Sequence, residues 1–249
     1  MALNEMAGAM AGVAAAASAA AGGAVGAAAS AAASAASATG MAQWDIGHLA
    51  AMAAALGWAS GMRLYLVVFL TGAAGYMGWI PLPPGLQLLA HPVVMAASFL
   101  MLAVEFLVDK VPGVDTVWDS IHTFIRIPAG AALAFGALSG ATGATGTDSQ
   151  VWALVAALAG GTLAATSHAA KATTRAAANT SPEPFSNIAL SLLGDATVPA
   201  VLWLAYEHPV WFWPVLAVLV LTALVVLVVL FKFLRGVFRR LSGARPVMG

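Results

Sequence analysis

The sequence has no cysteine and very little charge. The missing cysteines exclude disulfides, thiolate metal sites and a cysteine nucleophile, and leave the redox compartment undetermined. Only 8% of the 249 residues are charged, against about a quarter in soluble domains. A soluble fold of this size could not cover its surface with so few ionisable groups. Ten basic residues balance ten acidic ones, so no global field calls for nucleic acid, and no basic patch interleaved with aromatics argues for it. HExxH, Walker A, GxSxG and dinucleotide glycine patterns are all missing. That leans the reading away from an enzyme, with no cofactor and no metal site expected.

What is present is apolar: 61% of residues are hydrophobic and the mean hydropathy is +0.92. In a bilayer, helices satisfy their own backbone and present apolar side chains to lipid. The expectation is therefore an all-α, polytopic transmembrane helix bundle of about six spans. Residues 1–44 read as an Ala/Gly/Ser-rich low-complexity extension without the basic start of a signal peptide. Residues 45–234 read as the membrane domain, and 235–249 as a basic cytoplasmic tail. A span needs about 20 mostly apolar residues. The segments 62–80, 93–108, 127–146, 151–168, 188–206 and 210–231 qualify, and 45–57 reads as a short helix lying along the interface. Gly57/Gly61 and Gly136/Gly140 have the four-residue spacing that lets helices approach closely.

Charge then orients the spans. Lys232, Arg235, Arg239, Arg240 and Arg245 follow the last one, which places the C-terminus in the cytoplasm. Counting backwards puts Lys171 and Arg175, Lys110 and Arg126, and Arg63 on that same side, with Asp148 and Glu207 outside. Both termini are then expected in the cytoplasm of a cell (inner) membrane protein. The string 103–109 faintly echoes 189–195, as a 3+3 inverted repeat would require. However, Asp109 lies at a helix end and Asp195 nearer a middle, so the two halves match poorly.

The ionisable residues gather in the cytoplasmic half. Glu105 and Asp109 are four apart, Asp115 and Asp119 repeat that spacing, and His122 and Arg126 continue the stripe. Asp115 is a natural helix N-cap, and Asp119 or Arg126 would suit a wetted interfacial face. Glu105 lies about one turn inside the hydrocarbon boundary and needs a partner, with Arg63, Lys110 and Arg175 the candidates. Asp195 sits between Leu193 and Val198 in an apolar helix, so it must be protonated, paired or facing a polar cavity. The segment 168–187 is too polar to span; it is read as a loop, or as a segment folded back into the bundle. Its Lys171 and Arg175 would make a small anion or lipid-headgroup site.

Ser60-Gly61-Met62-Arg63-Leu64, the string VEFLVDKVPGVDTVWDSIHTFIR (104–126), NTSPEPFSN (179–187) and SLLGD (191–195) resemble an uncharacterised membrane family, domain of unknown function 4126. The resemblance covers about residues 50–209 and implies a multi-helix membrane domain with no established activity. It also implies a Glu before the last Asp, where this chain has Gly194.

The preferred function is a small transporter or channel-like protein. Arg63, Glu105, Asp109, Asp119, His122, Lys171, Arg175 and Asp195 would bind or relay an ion, proton or small polar solute. The partners are the lipid bilayer and that solute. The alternatives are an enzyme acting on a lipid headgroup, with Asp109, Asp115, Asp119 and His122 as ligands or acid/base groups, and a structural membrane subunit. Transport requires access from both faces, an enzyme requires a pocket with convergent carboxylates, and a structural subunit requires fully paired charges and no cavity.

Overall fold

A computed structural model describes residues 45–111, 113–139, 147–180 and 184–242. The extension at 1–44 lies outside the described residues. The described residues are all helical or loop. In order they form α1 (Ile46–Tyr76), a 3-10 helix (Pro84–Ala90), α2 (Pro92–Val108), α3 (Val114–Leu138), α4 (Thr147–Ala178), α5 (Pro184–Glu207) and α6 (Pro209–Ser242). Five of these are long and apolar enough to cross a membrane, and the 3-10 helix with α2, bent by 69° at their junction, makes a sixth if counted as one span. The expected membrane helix bundle is what the chain forms.

Its boundaries differ from those expected in three places. First, 45–57 does not lie along an interface. It is the start of α1, and from Leu49 to Gly61 all but one residue is buried. Ala and Gly score as weakly apolar, yet they allow backbones to pack closely, and that decides where this segment sits. Second, α3 begins at Val114 and ends at Leu138 rather than running 127–146, so Asp115, Asp119, His122 and Arg126 are all helical; Gly140 is outside the described residues. Third, α4 continues to Ala178. The polar stretch from His168 is therefore about three more turns of helix, because its polar side chains face inward onto other polar groups. At the C-terminal end, α6 runs through residue 234 to Ser242.

Helix α1 is not one rod. Arg63 has φ −147° and ψ 78°, and the helix is broken there. Neighbours give the direction of each half. Gly57 packs on Gly160, and Gly61 on Ala164 and Ser167, so the first half runs parallel to α4. In the second half, Tyr65 meets His122, Phe69 meets Phe99, and Gly72 meets Leu89 and Met95. It therefore runs antiparallel to α2, back to the end from which the first half came. Residues from both halves, Met52 and Leu56 with Thr71 and Ala74, line one small cavity. The chain thus enters from one end, turns at Arg63 and returns. Broken backbone at membrane depth is tolerated only when buried in protein with its polar groups satisfied. Arg63 is buried, and the freed carbonyls find donors: Ser167 Oγ donates to Trp58 O at 2.7 Å, and Lys171 Nζ to Met62 O at 3.1 Å.

The first half of α1 packs between α3 and α4 with little room. A Cβ on Gly57 would lie 2.5 Å from Gly160 Cα. Gly57→Val should destabilise the bundle by about 1–3 kcal/mol through overpacking, seen as a lower midpoint of thermal aggregation in detergent. An unchanged midpoint would mean that these helices do not meet there.

The two ends of the bundle differ chemically. Exposed Tyr76, Trp79, Trp152, Trp203 and Trp211 lie at the end where α1 starts and returns, as aromatic residues do at a membrane interface. Lys110, Lys232 and Arg235 lie at the other. The described chain starts at the aromatic end and finishes at the basic end. The expectation that both termini share a face rests on residues 1–44, which are not described.

Candidate functional site

The break at Arg63 sits in a buried network of charge. Five carboxylates, on Glu105, Asp109, Asp115, Asp119 and Asp195, meet four cations, on Arg63, Arg126, Lys171 and Arg175. All but Asp195 are buried, and its side chain is 23% exposed. Helices α1, α2, α3, α4 and α5 each contribute. Spacing explains how: in α3, Asp115, Asp119, His122 and Arg126 recur at four, three and four residues and so face one way. Lys171 and Arg175 do the same in α4.

Asp109 is the hub. Its Oδ2 forms ion pairs with Arg63 Nη1 at 2.6 Å and Arg175 Nη2 at 2.9 Å and accepts a hydrogen bond from Lys171 Nζ at 3.3 Å. It ends α2, and Gly113, at φ +85°, turns the chain into α3 where a side chain would be strained. Arg63 also reaches α5: Nη2 contacts Asp195 Oδ1 at 2.9 Å and donates to Ser191 Oγ at 2.7 Å and Ser191 O at 3.1 Å. Arg63 thus pairs with Asp109 and Asp195 and not with Glu105, for which it was a candidate partner. The echoing strings 103–109 and 189–195 both end on an Asp bound to Arg63.

Glu105 is held differently from expectation. Its partners are Arg126, at 2.5 Å, and Lys171, at 3.5 Å, rather than Arg63, Lys110 or Arg175. Arg126 is no wetted face: it is fully buried and bridges Glu105 to Asp119, 2.8 Å away. Asp115 is not the N-cap, a place taken by Gly113. It is a first-turn residue whose Oδ1 accepts from the N–H groups of Gly113 and Thr116 and whose Oδ2 meets Arg175 at 3.2 Å. Asn179 donates to Asp115 Oδ1 at 2.9 Å and is itself held by Asn187 at 2.8 Å, which ties α4 to α5.

Both histidines have their tautomers fixed by their neighbours. Arg126 can only donate, so His168 Nδ1, 3.2 Å away, accepts. His168 Nε2 then carries the proton toward Thr123 Oγ1 at 2.8 Å, and Thr123 donates on to Asp119 O. His168 is neutral in this arrangement. His122 Nδ1 donates to Trp118 O at 2.9 Å, and its Nε2 accepts from Tyr65 O–H at 3.1 Å. His122 stacks on Trp118 and stands at the edge of the network. Lys110 lies outside the spans, donates to Phe106 O, and has its ammonium pushed below the usual lysine range by burial, with Asp195 opposing this.

The pairing is incomplete. Glu105 Oε2, Asp109 Oδ1, Asp119 Oδ2 and Asp195 Oδ2 are buried and have no hydrogen-bond donor among the described residues. Within ion-pair distance five carboxylates meet four cations, and Lys110 adds a more distant positive charge that acts on Asp195. Among the described residues no three His, Asp or Glu side chains are set to hold a metal ion.

Two cavities flank this level. The larger, about 400 Å³, lies between α1, α4, α5 and α6, with Arg63, Lys171 and Arg175 at its polar end and Leu190, Leu193 and Leu219 among its walls. None of the five carboxylates lines it. The smaller, about 200 Å³, lies toward the aromatic end, between the two halves of α1 and the later part of α5, with Pro199, Trp203 and Tyr206. Val198, fully buried, separates the two along α5.

Sequence reasoning found eight residues for this site, and seven of them form its core with His122 beside it. It did not place Arg126, Ser191 or His168 among them, and it gave Asp115 only to the enzyme alternative. The seven-residue step from Asp119 to Arg126 was the signal for the first of these. No curated protein and no solved structure matches the chain. A family model does match, over residues 50–229 and thus over the whole charge network. The chain belongs to that family, described as a domain of unknown function (DUF4126).

Proposed function

We propose that this integral membrane protein is a small transporter, with its C-terminal end in the cytoplasm of a bacterial inner membrane. One observation carries the reading. Two cavities are stacked along α5 on either side of Val198, next to a charge network in which four buried carboxylate oxygens lack a donor. A carboxylate oxygen without a donor, such as Asp195 Oδ2, can take up a proton or other cation, and doing so would change how tightly Asp195 holds Arg63. That pair joins the tip of α1 to α5. Pro199 donates no hydrogen bond to the carbonyl one turn before it, so α5 can flex between the cavities. Loosening the pair would let α5 move against α1 and join one cavity to the other.

The competing readings fit less well. A structural subunit would have no cavity beside its charges, and two are present. A carboxylate enzyme needs its acids in the pocket, and the larger cavity presents cations. The proposed domain division has 1–44 as extension, 45–234 as the transport unit and the remainder as a basic tail.

The chain lacks cysteine, so single cysteines test this directly. Ile46→Cys and Glu207→Cys should react with an impermeant maleimide from outside, and Gly236→Cys from inside. Val198→Cys should react slowly, as alternation exposes it. Labelling of Ile46→Cys from inside would contradict the reversal at Arg63. A Val198→Cys chain never modified from either face would leave a static bundle and remove the transport reading.

A further inference from the structure

We infer that the larger cavity binds an amphiphilic anion, an oxyanion headgroup carried on an apolar chain. Its polar end is built from Arg63, Lys171 and Arg175, each at least nine-tenths buried, and no carboxylate lines it. The three cations are anchored from behind by one oxygen of Asp109. No carboxylate side chain lines the cavity, so the charged groups that do are these three cations. An anion placed there is attracted strongly because the surroundings exclude water. Most of the rest of the wall is apolar, with Leu190, Leu193, Leu219, Ala223 and Val226, and rewards an apolar chain; the hydroxyls of Ser167, Thr174 and Thr197 donate to backbone carbonyls. The size, about 400 Å³, falls within the range of small-molecule sites and far exceeds one small anion.

The entrance agrees with this. Leu193 is 64% exposed and Thr222 is exposed on α6, inside its uncharged stretch. The mouth between α5 and α6 therefore opens sideways into the hydrocarbon. A ligand that already partitions into the bilayer can enter chain-last with its headgroup drawn to the cations. The headgroup can belong to a free fatty-acid-like anion or to an anionic phospholipid.

This assignment rests on reading the cavity as the solute site, but it is tested by binding without flux. Trp58 lines the cavity and reports on it. The full chain is placed in phosphatidylcholine nanodiscs, and its fluorescence is titrated with terminally brominated dodecanoate, with the Trp58→Phe chain as reference. Saturable quenching that depends on Trp58 is expected, with little from the brominated alcohol or the brominated quaternary amine of equal length. Acetate or inorganic phosphate alone should not compete at millimolar concentration. Gly194→Leu supplies the control, because a Cβ there meets only Arg63 at 3.6 Å and points its side chain into free space. It should raise helix propensity, keep the fold and weaken the quenching at least tenfold. Replacing part of the lipid by brominated phosphatidylglycerol separates the sources: quenching beyond that from brominated phosphatidylcholine assigns the headgroup to a lipid, and quenching by dodecanoate alone to a free anion. Equal quenching by the neutral or cationic analogue would overturn the proposal, as would equal binding of acetate or phosphate alone, or unchanged binding in Gly194→Leu. Binding without flux would remove the transport reading and keep this one; flux of some other solute without binding would do the reverse.

Discussion

Arg63→Ala should be the most damaging single substitution in the membrane domain, costing about 3–5 kcal/mol as the loss of one partner from a buried ion pair does. It empties the tip of α1 and leaves five carboxylates facing three cations. The geometry also says which second change should help. Asp109 keeps Lys171 and Arg175 when Arg63 is gone, whereas Asp195 loses its only direct cation within 4 Å. Asp195→Asn should therefore restore part of the folded yield of Arg63→Ala, and Asp109→Asn should restore less. Arg63→Lys should lie between, since one ammonium cannot reach Asp109, Asp195 and Ser191 as a guanidinium does. Monodisperse yield in detergent and the thermal midpoint measure this. Parent-like stability of Arg63→Ala, or better rescue by Asp109→Asn, would mean that the network is not arranged this way.

Asp195→Asn in the parent background should have the opposite profile: a normal fold and a large functional defect. Asn retains an oxygen for Arg63 Nη2 and is close in shape, and the network would hold four carboxylates against four cations. What it loses is the ability to take up a proton at Oδ2, the oxygen without a donor. In vesicles, the parent's solute flux should vary with pH and the Asn variant's should be small and flat with pH. Should Asp195 be structural, the variant would melt earlier, and any flux would keep its pH dependence.

The spanning segments were legible because an uncharged run such as 210–231 has one physical explanation. The role of Arg63 was legible too, because a cation beside an apolar helix must find carboxylates. Other parts were not. The burial of 49–61 depends on Gly160 and Gly130 lying against it, about one hundred and about seventy residues further along, which no local pattern encodes. Arg126 lies in a stripe that an interfacial helix and a buried network share, so periodicity could not tell the two apart. The helix through 168–178 was hidden for a related reason: polar residues facing inward onto Asp109, Asp115 and Asp119 look like loop composition. The reversal at Arg63 carries no proline; it follows from the four contacts that hold the guanidinium and from the donors on α4 that satisfy Trp58 and Met62.

The transport reading is tested most directly by solute flux in the purified, correctly folded parent chain. Proteoliposomes with an entrapped pH dye are given dodecanoate, shorter carboxylates, phosphate and monovalent cations in turn, against protein-free vesicles and vesicles holding Gly194→Leu. The account predicts saturable movement of at least the amphiphilic anion, accompanied by a proton-dependent signal, and its loss in the filled-cavity variant. Vesicles indistinguishable from protein-free ones for every solute, with the protein shown to be folded and inserted, would contradict it.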